Sequence, residues 1–377
     1  MQDLNTQADN GELTFHPRLI TRSTFQKLLS CYPTTVERVH QHRIEQKLQP
    51  KKSKKKGASV QGLESVKTDF SKEEQSQIRD EVNRVLDLDE WRYEKMPAAI
   101  LERRAANEEE EKMEDSELLT KDELVNIVEW KLAWVCGIPL KEVTLLIQVL
   151  WIRKHGKYRP ALKGMVKKNT ESLVSKCVEA AIAALPTTTE FPTASMDAIL
   201  PLHGIGPATA SLILSIATAA GEVKGQIPFY SDDLFYWVCM HQYPGMENEG
   251  SSEESAPLET SSKKAALKPN GELNVKYTLA EYQLLWLASL ELNVHLNHPE
   301  NKGSPELPVF SHVDAEKVAY VLRHLDVSGF YPEHESAQDQ GESASDCKME
   351  GSKRKAFDEE EKPLKRSKRK REGLRNN

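Results

Sequence analysis

An all-α fold is what this sequence predicts, and three observations carry that expectation. Thr120-x-x-Glu123 and Thr278-x-x-Glu281 are capping boxes, each set at the head of an apolar run. Apolar residues behind them recur at steps of three and four, the spacing of one helix face. No stretch shows sustained period-two alternation with hairpin turns, so strands are not expected.

Taken in order, the first helix opens at Thr120 and continues through Leu124, Ile127 and Val128. The apolar stretch Leu132 to Ile152 (LAWVCGIPLKEVTLLIQVLWI) is long enough to span a bilayer. Pro139, Lys141 and Glu142 fall at its middle, where a charge is costly, so a buried helix or two short ones is expected and no membrane partner. Leu173, Cys177, Val178, Ala181, Ile182 and Leu185 form an apolar face ending near Pro186. Ala198 to Ala217 (AILPLHGIGPATASLILSIA) reads as a short helix, a tight turn at His203-Gly204-Ile205-Gly206 and a second helix from Pro207. The Thr278 box opens a helix with Leu284, Leu285, Trp286 and Leu287, and Ser311-x-x-Asp314 opens a last one through Val318, Ala319, Leu322 and Leu325.

The chain has 377 residues, 51 Lys+Arg against 58 Asp+Glu, a net charge of −7 and 38% hydrophobic residues. That fraction is below the ~45–50% of ordinary globular chains, which predicts unstructured segments. The opening MQDLNTQADN lacks the basic-then-apolar order of a secretory signal, so an oxidising compartment is not expected. The five cysteines are scattered without a C-x-x-C pair, so no disulfide framework, metal site, iron–sulfur cluster or other cofactor is implied.

Averaged, −7 argues against a nucleic-acid partner; along the chain the charge is segregated. Residues 351–371 hold two basic clusters, Lys353-Arg354-Lys355 and Lys365-Arg366 with Lys368-Arg369-Lys370-Arg371, separated by an acidic spacer. This pattern points to a bipartite nuclear import signal, hence a nuclear import receptor as partner and a nuclear location, or to a basic tail that touches nucleic acid non-specifically. Lys51 to Lys56 (KKSKKK) could serve either purpose. Acid is concentrated in residues 108–117. Segments 243–275 and 333–350, rich in Glu, Ser, Gly and Pro, cannot bury enough apolar area to order, and disorder is expected there. The expected organisation is an N-terminal region, 1–117, partly helical or disordered; a helical domain over 118–242 and 276–332; a disordered insertion, 243–275; and a disordered basic tail, 333–377.

The turn at Gly204 is the most informative segment. Two glycines at this spacing allow left-handed backbone angles and the close approach of a ligand. Pro207 suits the first position of a helix, whose N-terminus is a ready anion site. The implied ligand is a phosphate, contacted by the backbone from His203 through Gly204, Ile205 and Gly206 to Ala208. Residues 151–168 (WIRKHGKYRPALKGMVKK) carry Arg153, Lys154, Lys157, Arg159, Lys163, Lys167 and Lys168 and no acidic residue. They form either a phosphate-tracking patch on double-stranded DNA or an ordinary solvated face. Ser231, Asp232 and Asp233 have the residue types of a helix cap. Phe229, Tyr230, Phe235, Tyr236 and Trp237 are either core or, for Tyr230 and Trp237, platforms for a displaced base.

Leu200, Gly204, Ile205, Gly206 and Ala210 match the helix-hairpin-helix motif, and the segment Gln226 to Trp237 that follows resembles the aspartate-bearing segment of the helix-hairpin-helix superfamily of DNA glycosylases. The combination GIGPATASLILSIATA, IPFYSDDLFYW and KHGKYRPAL is similar to the Amun-type family of nuclear, glycosylase-like proteins over about 120–330. The resemblance implies a glycosylase-like helical fold and a carboxylate at Asp233 or Asp232 that stabilises an oxocarbenium-like centre while water attacks. Bifunctional relatives place a lysine where this chain has Ala208, and no lysine occurs between 204 and 223, so a lyase step at that position is excluded. The expectation is a nuclear, monofunctional DNA glycosylase of base-excision repair. The alternative is a non-catalytic DNA-binding or scaffold protein whose tails recruit partners in chromatin or gene regulation. One departure stands out: Trp130-Lys131-Leu132 is separated from Lys154-His155-Gly156-Lys157 by the apolar stretch, where the family runs almost directly from one to the other.

Overall fold

The computed structural model describes residues 14–48, 70–109, 117–136, 162–244, 275–298 and 308–331, and every regular element among them is helical. The import clusters at 353–371, the lysines at 51–56 and the segments 245–274 and 333–350 lie outside the described residues.

The chain enters through α1 (Arg22–Ser30) and α2 (Tyr32–Leu48). Thr21 caps α1 by accepting the Thr24 N–H at 3.1 Å, and Pro33 sits in the first turn of α2, where a missing N–H is harmless. Next comes α3 (Lys72–Glu90), opened by a full capping box between Ser71 and Glu74. A π turn, Trp91–Lys95, joins it without a break to α4 (Met96–Glu109). Pro97 accounts for that turn: its ring would collide with the Tyr93 carbonyl one α-turn back, and widening relieves the collision. The Met96 N–H accordingly bonds the Trp91 carbonyl, five residues behind.

α5 (Lys121–Cys136) begins as the sequence predicts, with the Glu123 N–H on Thr120 Oγ1 at 3.2 Å and the Thr120 N–H on Glu123 Oε2 at 2.9 Å. Arg103, in the middle of α4, donates to both Glu123 oxygens, at 2.8 and 2.7 Å, and so fastens α4 to the start of α5. The apolar stretch beyond Cys136 lies outside the described residues, among which no helix is long and apolar enough to cross a membrane.

Two short helices, α6 (Leu162–Val166) and α7 (Glu171–Ala183), precede the hairpin pair α8 (Thr193–Ile199) and α9 (Pro207–Thr218). The buried face of α7 is Val174, Val178 and Ala181; Leu173, expected inside, is exposed. α9 is buried on all sides from Ala208 to Thr218. It is followed by α10 (Asp232–Leu234), which continues as a π turn through Cys239. α11 (Leu279–Asn297), α12 (His312–Arg323) and α13 (Leu325–Ser328) close the described chain, with capping boxes at Thr278–Glu281 and Ser311–Asp314.

The core begins well before residue 118. Phe15, Ile20, Phe25, Leu28, Tyr32 and Val36 join Trp237, Phe310 and Val318 in one apolar cluster. Phe25 meets Phe310 at 4.6 Å and stacks near Trp237, whose indole N–H donates to the Phe15 carbonyl at 2.8 Å. Residues 14–48 and 70–106 are thus walls of the helical domain, and the sequence-based boundary moves back to the first described residues.

A buried polar network crosses this core. Asp89 accepts from the Trp130 indole at 3.1 Å and the Tyr32 hydroxyl at 3.0 Å. Arg92 donates to Glu316 Oε2 at 2.7 Å, and the Tyr93 hydroxyl to Oε1 at 2.9 Å. The Arg92 guanidinium also lies over the rings of Tyr93 and Trp130. Burial pushes the Asp89 carboxyl up to about 6, against the pull of its two donors.

Candidate functional site

The turn between α8 and α9 is built around one left-handed glycine. Gly204 has φ +81°, and a Cβ there would come within 3.1 Å of both Met165 Cβ and Val166 Cγ2, so α6 packs where a side chain would be. Gly206 differs from expectation: it is extended at φ −116°, ψ 179°, and open space lies where its Cβ would be. It is the N-cap of α9, with Pro207 next and no side-chain cap. Ile205 and Ala208 are buried and His203 is exposed, so the turn offers backbone on its outer side and apolar side chains on its inner one.

Asn169, which sequence reasoning missed, locks this turn. Its Oδ1 accepts the His203 N–H at 2.8 Å, while its Nδ2 donates to the His203 carbonyl at 3.1 Å and the Val166 carbonyl at 2.9 Å. Fully buried, it makes one body of the hairpin and the segment after α6. Lys167 and Lys168, exposed on that segment, are therefore held beside the turn. Lys163 is not part of that positive surface, because it is paired with Glu129 of α5. Arg153, Lys154, Lys157 and Arg159 lie outside the described residues.

The carboxylates follow on α10. Ser231 is the N-cap, its Oγ accepting the Leu234 N–H at 3.1 Å, so Asp232 and Asp233 occupy the first turn and neither caps it. The two face different neighbours. The Tyr277 hydroxyl lies 2.9 and 3.1 Å from the two Asp232 oxygens. Tyr277 holds a left-handed backbone, φ +55°, immediately before the capping box of α11. Burial raises the Asp232 carboxyl, opposed by the Tyr277 hydrogen bond and the charges of Lys131 and Arg323. The Lys131 amine in turn donates to Thr209 Oγ1, in the first turn of α9, at 3.0 Å. Asp232 is thereby tied electrostatically to the hairpin. Asp233 is pushed up to about 7, by burial first and then by the Asp232 charge, with Arg323 and Arg43 pulling the other way. Its surroundings thus include α2 and the end of α12.

Tyr230 and Trp237 are corrected from base platforms to core. Tyr230 stacks on Tyr282 at 5.6 Å and 12°, and its N–H donates to Ser211 Oγ at 3.0 Å. Trp237 is sealed against Phe25 and Phe15. Both are about 1% exposed, leaving no ring face for a displaced base. Cys31, Cys177 and Cys239 are free thiols, and no cluster of three metal-binding side chains occurs among the described residues.

The class defined so far is an all-helical protein with a glycine turn, a basic flank and a half-buried pair of carboxylates. Compared with models of protein families, with curated proteins and with solved structures, the chain matches none.

Proposed function

We propose that this is a nuclear protein that grips duplex DNA with the Gly204 hairpin and the neighbouring Lys167–Lys168 surface, and that it hydrolyses a base–sugar bond with Asp232. One observation carries the reading. Asn169 fixes a left-handed glycine turn beside two exposed lysines, while Lys131 links the first turn of the second hairpin helix to Asp232. Backbone N–H groups at a helix N-terminus and adjacent cations are what a phosphate chain requires. A carboxylate near them can stabilise positive charge developing on the sugar and orient water. Asp232 is favoured over Asp233 because Lys131, whose charge acts on it, bonds Thr209 of the second hairpin helix.

The test is a panel of duplexes carrying damaged bases, assayed with wild type, Asp232→Asn and Asp233→Asn. Abasic product that disappears in Asp232→Asn is expected. Intact DNA binding with no product from any lesion would sink the enzymatic half and leave a DNA-binding scaffold. The burial of Tyr230 and Trp237 favours that second reading, since neither ring receives a base. For nuclear entry, deletion of residues 353–371 is expected to abolish nuclear accumulation; retained accumulation would refute the import signal.

A further inference from the structure

The outer face of α11 is apolar as well as its inner one. Leu285, Trp286 and Leu292 are buried, while Leu284, Leu287 and Val294 on the opposite side are 56%, 59% and 64% exposed. Leu19 is exposed beside this stripe, next to the Arg18 that grips Glu291 with two bonds of 2.9 and 3.1 Å. So is Val309, whose neighbour Phe310 is held through its backbone by Asn293 and Asn297. Five of the nine large apolar side chains exposed among the described residues thus gather along one helix. Scattered exposed apolar residues are ordinary, but a contiguous patch of roughly 500 Å² marks an interaction surface.

The spacing along the stripe points to its occupant. Ala280, Leu284, Leu287, Glu291, Val294 and His298 are all exposed and follow one another at steps of four, three, four, three and four, the period of a helix-pairing seam. That series is a palindrome about Ser289, so it matches itself when reversed end for end. An antiparallel second copy sets Leu284 against Val294, Leu287 against Glu291 and Ala280 against His298, each pair occurring twice, as a two-fold interface demands. Charge fits the same arrangement. At 1.5 Å per residue the two Glu291 positions come about 6 Å apart along the axis. Each carboxylate already carries its Arg18 guanidinium, so the two ion pairs lie side by side with their signs alternating. With this polar rim added, the stripe approaches the roughly 800 Å² per partner of a standard interface.

We propose that this face of α11 is the contact between two copies of the chain, which associate as a two-fold dimer through antiparallel α11 helices. The inference is independent of the DNA-binding reading.

Sedimentation of the full chain across the micromolar range is expected to show a mass rising toward twice 42.7 kDa. Leu287→Glu changes an exposed side chain, so it should keep the wild-type melting temperature. It sets like charge against Glu291 of the other copy and should weaken association at least about tenfold. Mild oxidation tests the geometry. A chain carrying both Leu284→Cys and Val294→Cys should form a disulfide-linked dimer, because each new thiol meets the other kind across the axis. Within one chain the two positions lie about 15 Å apart, too far to bridge. Each single variant sets its own thiol equally far from its copy and should link no more than wild type does. The disulfide pattern decides alone if Leu287→Glu loses its fold. A monomer at every concentration, undiminished association in folded Leu287→Glu, or equal linkage of the double and single variants would each overturn the proposal. A monomer whose Leu284→Cys thiol resists a maleimide would assign the stripe to another part of this chain, and would overturn it as well.

Discussion

Two groups of charge are drawn into this helical domain, and they are built to different ends. Around Arg92, Glu316 takes the guanidinium and the Tyr93 hydroxyl while Asp89 takes the Tyr32 hydroxyl and the Trp130 indole, all within the core. Around Asp232, a carboxylate is held half-buried on the Tyr277 hydroxyl, with the charges of Lys131 and Arg323 acting on it from separate parts of the chain. A sealed network holds helices in register, whereas a half-open one keeps a carboxylate and an amine within reach of a ligand. Burial without a partner distinguishes them energetically: in the first group it is ruinous, in the second it tunes proton affinity.

That contrast breaks most sharply at Glu316. Glu316→Ala leaves Arg92 buried without its counter-ion and should destabilise the fold by about 3–5 kcal/mol in urea titration. A loss under about 1 kcal/mol would mean that the network is wet and the comparison false. Next in size is the pair of hairpin glycines. Gly204→Val forces a β-branched residue into φ +81° against α6 and should cost about 1–3 kcal/mol as well as DNA affinity. Gly206→Val meets open space, so it should weaken duplex binding while the melting temperature stays within a few degrees of wild type. Equal thermal losses in the two variants would erase the distinction.

A smaller effect is expected from pH. The folded Asp233 carboxyl is raised from 3.8 to about 7, so between those values the folded state holds a proton that the unfolded state has released. Its contribution is fully present below the unfolded value and is lost as pH rises to neutrality. Asp233→Asn should therefore flatten the fall in melting temperature between pH 4 and pH 7; an unchanged slope would place the carboxyl in water. Least of all, Lys167→Ala with Lys168→Ala should leave stability within about 0.5 kcal/mol and make the salt dependence of duplex binding shallower, by about 0.9 for each phosphate left without its cation. An unaltered salt slope would remove these lysines from the interface.

The capping boxes at Thr120, Thr278 and Ser311 were readable because all their partners lie within three residues. The hairpin was readable for the same local reason, down to Pro207 at the first helical position, though only one of its glycines proved left-handed. What the sequence hid depends on distant contacts. Asn169 meets His203 across 34 residues and Lys131 meets Thr209 across 78, and no spacing rule marks either. The helices of the first hundred residues were obscured because Arg22, Thr35 and His40 are buried alongside the apolar residues and blur the helical period. Tyr230 and Trp237 misled in the opposite direction, since an aromatic ring beside a motif carries no sign of whether it faces in or out.

The hydrogen bond from the Trp237 indole to the Phe15 carbonyl joins residues 222 apart in sequence. At roughly 5–20 residues per second of synthesis, Phe15 and Phe25 wait about 10–45 s before the helix that covers them leaves the ribosome. Through that interval α1 has α2 beside it but lacks α12 and Trp237, so its apolar face is only partly covered until the last helices have been made. Maturation of this protein is thus governed by its own topology, and the nascent N-terminal segment is the stage most exposed to chaperones and to aggregation.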